Sequence, residues 1–356
     1  MPYWSGAPGA RSSSPGESLE HAAAIGVVAI GRNEGSRLEA CLRSLPPRRD
    51  VAVVYVDSGS QDQSPDLARR LGAQVVELDE SLPFTAARAR NAGFQALARE
   101  RPDLDRVQFV DGDCELEPGW LDAAAAHLAA HPEVAVVCGR RREIDPGASL
   151  YNRLADIEWD RPAGEVASCG GDALMRAAAF AAVDGYDASL IAGEDPDLCL
   201  RLRRAGWRVV RLDLPMTRHD ARLASFGQWW RRQVRSGHAF AEAVRRHRGA
   251  PDPHRVRRLR SILLWGAVVP IASLGAALAT GGPGIVGLAA LALPWVLAYR
   301  DTRRLRSRAD AMLYATACAV GKLAEAQGAA RFAWNRLVLR RSTRLIEYKG
   351  PRASCG

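Results

Sequence analysis

From Ile25 onward, short apolar runs alternate with stretches of helical period. IGVVAI (25–30), VAVVYV (51–56), AQVVEL (73–78), the run at 106–110 inside RVQFVDGDCE, and VAVVCG (134–139) read as strands. Between them, 35–44, 64–71, 84–99 and 117–130 read as helices. The Val and Ile runs are continuous rather than alternating, which marks strands covered on both faces, and the regular helical crossovers mark a largely parallel sheet. The expectation is an α/β domain of nucleotide-binding type. In such sheets the ligand lies beyond the carboxyl ends of the strands, and there the chain places Asn33 and Glu34, then Asp57, then Asp111, Gly112 and Asp113.

After Arg140 the pattern loosens into SCGGDALMR (168–176), a helix near 177–183, the loop LIAGEDPDL (190–198), a helix to 205 and a strand at 207–212. An Arg- and Trp-rich segment (225–260) follows, and then 39 residues, 261–299, carry no charge. GGPG at 281–284 divides this segment into halves about as long as the ~20 residues a membrane-spanning helix needs, so a helical hairpin is the simplest reading. Arg255, Arg257, Arg258 and Arg260 precede it, and Arg300, Arg303, Arg304, Arg306 and Arg308 follow it. Basic flanks on both sides put both ends on the cytoplasmic face of the membrane. A buried hairpin of a soluble domain passes the same test, and Pro270 and Pro294 would also suit a shallow re-entrant hairpin. The apolar run 311–320 is too short to span; it suits the interface or a place against the hairpin. Arg331, Arg336, Arg340, Arg341 and Arg344 after it suit anionic lipid.

The net charge of +9 conceals an asymmetry: residues 1–200 carry 19 Lys and Arg against 32 Asp and Glu, residues 201–356 carry 30 against 8. The two halves therefore face different partners. Only two of the 49 basic residues are lysines, which suits fork-like binding of phosphates and equally a biased codon usage. The seven cysteines are odd in number, scattered and without a C-x-x-C pair, so a zinc ribbon or disulfide frame is excluded and a reduced compartment expected. The Gly-, Ser- and Pro-rich start has no apolar core segment, so it reads as a disordered tail rather than a signal peptide.

Asp111 and Asp113, one residue apart at a strand end, present four oxygens to a hard divalent cation and a phosphate-bearing ligand; Asp-Gly-Asp also suits an ordinary turn. The order AIGRNE, VDSGSQD, ARARNAG, VDGDCE, GED and a late Gln-x-x-Arg resembles the family 2 inverting glycosyltransferases with the GT-A fold, over about residues 25–240. The hairpin and the EYKG tail resemble membrane-attached bacterial members. The resemblance implies a tail at 1–22, a GT-A domain at 23–245 with a mainly parallel central sheet, a basic linker at 246–260, a membrane hairpin at 261–299 and a basic, partly helical tail at 300–356.

The resemblance assigns Asn33 and Glu34 to the nucleotide pocket, Asp57 to the base, Asp111 to the ribose and Asp113 to a metal, Mg²⁺ or Mn²⁺. His219 would join the metal and favour Mn²⁺, since imidazole suits softer ions; a structural histidine is the equal alternative. Arg88 and Asn91, three apart on a helix start, share a face that could reach base or ribose, whereas Arg90 also fits a solvated basic turn. Asp195 is the expected base that takes the acceptor hydroxyl's proton, with Glu194 beside it; capping of the following helix is the alternative. Gly171 and Asp172 would shape the sugar pocket. Gln228, Arg231 and Arg232 match the Gln-x-x-Arg motif of processive members, although Arg232 stands where a Trp belongs, which speaks against processive synthesis. An amphipathic helix docked on the membrane accounts for the same residues.

The implied activity is transfer from a nucleotide-diphosphate sugar to a hydroxyl of a lipid-linked or glycan acceptor in cell-envelope polysaccharide or glycolipid assembly. The catalytic domain would face the cytoplasm at the cytoplasmic membrane. A polyprenyl-phosphate glycosyl synthase is the alternative within enzymes. A membrane-bound anionic-polymer binder leaves the acidic motifs unexplained, so nucleic acid is not an expected partner.

Overall fold

The computed structural model describes residues 24–46, 51–250 and 252–340. The tail expected at 1–22, together with Arg341, Arg344 and the EYKG stretch, lies outside the described residues.

Four parallel strands form one half of the sheet: β1 (Ala24–Gly31), β2 (Val51–Asp57), β3 (Gln74–Glu77) and β4 (Leu104–Asp111). They are joined by α1 (Ser36–Ser44), α2 (Ser64–Arg70) and α3 (Ala86–Glu100). Val27 and Val28, like Phe109 and Val110, point to opposite faces of the sheet, yet all four are buried completely, so both faces are covered. This is what the continuous Val and Ile runs require.

Beyond β4 come β5 (Cys114–Leu116), α4 (Trp120–Ala130), β6 (Val134–Glu143), α5 (Leu150–Trp159) and β7 (Gly164–Glu165). They are followed by β8 (Ala173–Arg176), α6 (Ala177–Ala182), α7 (Glu194–Arg204) and β9 (Arg208–His219). The sheet has nine strands in the order β3-β2-β1-β4-β8-β6-β9-β5, with β7 beside β9. Its longer ladders are parallel. β8, in the stretch where the pattern loosens, enters antiparallel between β4 and β6, and so the sheet is mixed. β9 runs seven residues past the expected end at 212. Pro215 conceals that continuation, but it pairs with Arg140 where the β6–β9 register shifts, a place that tolerates proline. The extra length carries His219 to the same edge as Asp113.

The C-terminal region is helical: α8 (Phe226–Arg246), α9 (Pro253–Leu263), α10 (Val269–Thr280), α11 (Ala292–Arg303) and α12 (Arg308–Ala333). A π turn at Leu264–Val268 joins α9 to α10, so the expected linker is helical from Pro253 onward. α8 and α12 pack backbone against backbone: a Cβ added at Gly237 would sit 1.9 Å from the Glu325 carbonyl oxygen, and one at Gly328 would sit 2.0 Å from that of Val234. α12 is also tied to α5, where Arg153 Nε donates to Asp310 Oδ1 at 2.6 Å. The hairpin packs on α12 near its start, where Ile262 is buried and a Cβ at Gly266 would sit 2.0 Å from the Lys322 carbonyl oxygen, but much of it is uncovered. Ile271 is 70% exposed, Leu278 78% and Val286 70%. Pro253–Thr280 and Pro283–Arg303 are each long and apolar enough to cross a membrane.

Candidate active site

The sheet register sets the acidic strand ends at one level. Gly31 pairs with Asp57, and Ile30 pairs with Asp111, on adjacent parallel strands. Asp57 is buried and accepts from the Tyr55 hydroxyl (3.0 Å), the Ser60 amide (2.7 Å) and the Ser60 hydroxyl (2.5 Å). Asn33, in a left-handed conformation at φ 55°, closes the same turn: its amide donates to Ser60 Oγ at 2.8 Å and its Oδ1 accepts from the Gln61 amide at 2.7 Å. Glu34 pairs with Arg37, whose Nη1 reaches to 3.9 Å of Asp113.

At the start of α3 the structure reverses the expected division of labour. Arg88 turns to backbone carbonyls, donating to Leu82 at 2.9 Å and Asp79 at 2.7 Å. The Asn91 amide is consumed by Tyr186, donating to its carbonyl at 2.6 Å and accepting from its N–H at 2.9 Å. Both polar groups hold loops in place instead of facing a base or ribose. Arg90 is no solvated turn residue. It is 3% exposed, lies over the Tyr186 ring, and donates to Asp111 Oδ1 (2.8 Å), Glu194 Oε1 (3.0 Å) and Asp195 Oδ1 (3.4 Å). A signal was present in the sequence: Arg90, Gly93 and Leu97 share one buried helical stripe at three- and four-residue spacing, so the arginine is the odd member of an apolar face.

Gly171 makes room for this guanidinium, since a Cβ there would lie 2.4 Å from Arg90 Nη2. Gly193, at φ 82°, turns the chain into α7. The helix begins at Glu194, inside the stretch expected as the 190–198 loop, so Glu194 and Asp195 occupy its first turn, and their carboxylates go to Arg90. Burial raises the Asp195 carboxyl to about 7; Arg90 opposes the rise, while Glu194, Asp111 and Asp172 reinforce it. The side chain is still 15% exposed, enough for a substrate to touch it.

Cross-strand pairing of Cys114 with His219 brings β5 and the end of β9 together. His219 Nε2 thereby lies 3.4 Å from Asp113 Oδ2, and the ligand atoms of Asp113, Cys114 and His219 all fall within 4.8 Å of one another. Glu143, 3.6 Å from Nδ1, and the edge-on Trp159 ring orient the imidazole. Burial, with Arg141 adding to it, keeps His219 below its ordinary pKa, so that it is neutral and able to ligate at pH 7. Asp113 and the Nε2 of His219 offer one carboxylate and one imidazole, a pair that suits a divalent cation, whereas burial holds the Cys114 thiol well above its ordinary pKa and keeps it protonated.

A second trio, Asp111, Cys114 and Asp172, is equally compact but already holds a cation. Arg141 stands among them at 3.3 Å from Asp111, 3.0 Å from Cys114 and 3.4 Å from Asp172. Nothing in the RRRE run marks Arg141 as the inward one. Asp172, expected in the sugar pocket, is instead spent internally: it is buried and accepts from the Asp111 amide and the Thr217 hydroxyl, each at 3.0 Å. Gln228 is likewise a cap, its Oε1 accepting from the Ala224 (2.8 Å) and Ser225 (3.2 Å) amides to close the start of α8. Arg231 is exposed, and Arg232 pairs with Glu158 at 2.6 Å.

Residues 27–181 match the family model described as Glycosyl transferase family 2. The chain is 28% identical to the succinoglycan biosynthesis protein ExoA of Rhizobium meliloti, covering 69% of this chain and 80% of the relative. It is 29% identical to the pre-mycofactocin glycosyltransferase of Mycobacterium tuberculosis over 63% of this chain, but spans only 48% of that protein. Among solved structures, the mannosyltransferase PcManGT from Pyrobaculum calidifontis, in complex with GDP-Man and Mn²⁺, has the same fold: TM-score 0.59, 20% identity, 88% of both chains covered.

Proposed function

We infer that this chain, a family 2 glycosyltransferase of the GT-A fold, moves a sugar from a nucleotide-diphosphate donor to a hydroxyl of a lipid-linked or glycan acceptor, inverting the anomeric carbon, at the cytoplasmic face of a membrane. The observation that carries the reading is the grip of Arg90 on Asp111 and Asp195 together, which locks a donor-side carboxylate and a base of raised pKa into one unit.

On the donor side, Asn33, Glu34 and Asp57 frame the base end and Asp111 the ribose. Asp113 and His219 would hold the divalent cation, Mn²⁺ in preference to Mg²⁺ because one ligand is an imidazole. When bound, that ion neutralises charge gathering on the departing diphosphate. On the acceptor side, Asp195 takes the hydroxyl proton as the oxygen attacks. A base raised to about 7 is ionised in a substantial fraction at neutral pH and basic enough to accept it. Glu194 shares the arginine and adds to the field that lifts Asp195. The open space kept by Gly171 holds Arg90 in place beside both. The uncharged hairpin, exposed and flanked by arginines, supports attachment to a membrane, and the name of ExoA supports a part in polysaccharide assembly.

Hydrolysis or transfer from a panel of nucleotide sugars by the purified protein, with and without EDTA, tests the reading. Turnover of one donor that EDTA abolishes and Mn²⁺ restores is expected. A folded protein that turns over no nucleotide sugar, or does so without a metal, would overturn it.

A further inference from the structure

A cavity of about 320 Å³ lies between α8 and the loop that leads into α7, within the range of small-ligand sites. Gly193 and Pro196, which bracket Glu194 and Asp195, form part of one wall, and Arg232, Arg235 and Arg255 line it as well. Glu158 is the single acid among the lining residues, against three arginines; it is paired with Arg232, and Asp252 lies 3.7 Å from the Nε of Arg255 outside the lining. Arg235 Nη2 donates to the Ile191 carbonyl at 2.9 Å, and Arg255 donates to the carbonyl of Pro196. Arg255 is 6% exposed, and its Nη1 is buried with no hydrogen-bond partner, although each further donor of a guanidinium is costly to leave unmet.

The position of the cavity narrows what would satisfy it. Arg255 stands on α9 six residues before Ser261, where the uncharged run begins on the same continuous helix. At 1.5 Å per residue that is about 9 Å along the axis. If the hairpin enters a bilayer, the cavity lies close to the polar layer of roughly 5–8 Å that covers the hydrocarbon on each side. Ala239, Ala243 and Phe240 supply an apolar wall beside the arginines.

We propose that this cavity binds the phosphate or diphosphate of a lipid-linked acceptor, with Arg235 and Arg255 as its principal ligands. The inference rests on the transferase reading for the adjacent Asp195. The lipid chain runs toward the hairpin while the anionic group is clamped beside the Gly193–Pro196 loop, so the acceptor is delivered to Asp195 from the membrane side. Charge-assisted bonds from two forked guanidinium groups match a phosphate better than a neutral glycan hydroxyl. These two ligands lie one turn beyond Arg231 and Arg232 on α8, and on α9.

The test uses the purified full chain in detergent with farnesyl diphosphate as the probe, compared with farnesol, inorganic pyrophosphate and a nucleoside diphosphate with Mn²⁺, read by calorimetry and thermal shift. Farnesyl diphosphate should bind more tightly than farnesol or pyrophosphate, and an Arg235→Gln/Arg255→Gln variant should weaken it at least tenfold while leaving nucleoside diphosphate affinity unchanged. The retained nucleotide site certifies the fold of the variant. Unchanged farnesyl diphosphate affinity in that variant would overturn the proposal. Pyrophosphate binding as tightly as farnesyl diphosphate would overturn the lipid as its source, and displacement of farnesyl diphosphate by the nucleoside diphosphate would place the anion in the donor site instead. Should wild type bind no nucleoside diphosphate yet lose farnesyl diphosphate on substitution with its melting temperature kept, the transferase reading fails and the anion site stands.

Discussion

The acidic edge of the sheet and the hairpin beyond α9 treat their residues in opposite ways. At the sheet edge, charged groups are buried and matched: Arg90 holds three carboxylates, Arg141 holds Asp111 and Asp172, and Asp57 accepts three hydrogen bonds. In the hairpin, Ile271, Leu278 and Val286 stand largely in the open. A water-filled environment accounts for neither by itself. Buried charges persist because each is paired, since an unpaired one costs several kcal/mol, and exposed aliphatic faces of this extent mark a surface that another apolar medium covers. One region is organised to place charge, the other to place the molecule.

The contrast breaks most severely at Asp195. Asp195→Asn should lower transfer to a hydroxyl acceptor by about 10²–10⁴-fold, the range of a general base, with donor binding kept. A phosphate acceptor, already ionised, would leave the variant largely active, so the same measurement separates the two enzymatic readings. In wild type, kcat/KM should fall as pH drops through about 7, because protonation of Asp195 removes the base, and should level off above it.

Next in size is Arg90→Met, which strands Asp111, Glu194 and Asp195 as neighbouring carboxylates in a largely dry site. A loss of roughly 3–5 kcal/mol in denaturant unfolding is expected, against almost none for the exposed Arg231→Met.

On the other side of the comparison, Ile271→Asp should weaken vesicle flotation by an amount corresponding to about 2.5–3.5 kcal/mol while nucleotide binding is untouched, since a charge deep in a bilayer carries that cost. A hairpin that packs only against protein would show no such lipid dependence.

The smallest effect separates a cap from a ligand. Gln228→Ala should cost about 1 kcal/mol of stability through its part in the capping box, with donor and acceptor KM unchanged; a rise in either would return Gln228 to the substrate.

Much of this was legible along the chain. The first four strands and their helices follow from apolar period, and the convergence of Asp57 and Asp111 follows from their places at strand ends. Asp113 and His219 become neighbours only through the β5–β9 pairing. A shared helical face does not say which way Arg88 and Asn91 look; their partners, the Asp79–Pro83 loop and Tyr186, arrive from elsewhere. Asp172 and Gln228 carry groups suited to sugars, but the Asp111 amide, 61 positions away, reaches the first and the nearby Ala224 amide the second.

The amino-acid sequence by itself determined the covered strands, the order of acidic motifs and the uncharged hairpin, because burial period and hydropathy are properties of neighbouring residues. Only the tertiary structure decided which charges meet. Arg90 reaches Asp111 across 21 positions and Asp195 across 105, and Arg141 reaches Asp111 across 30. Such pairings depend on sheet register and helix docking, which minimise unpaired buried charge over the whole fold and leave no trace in any single stretch of chain.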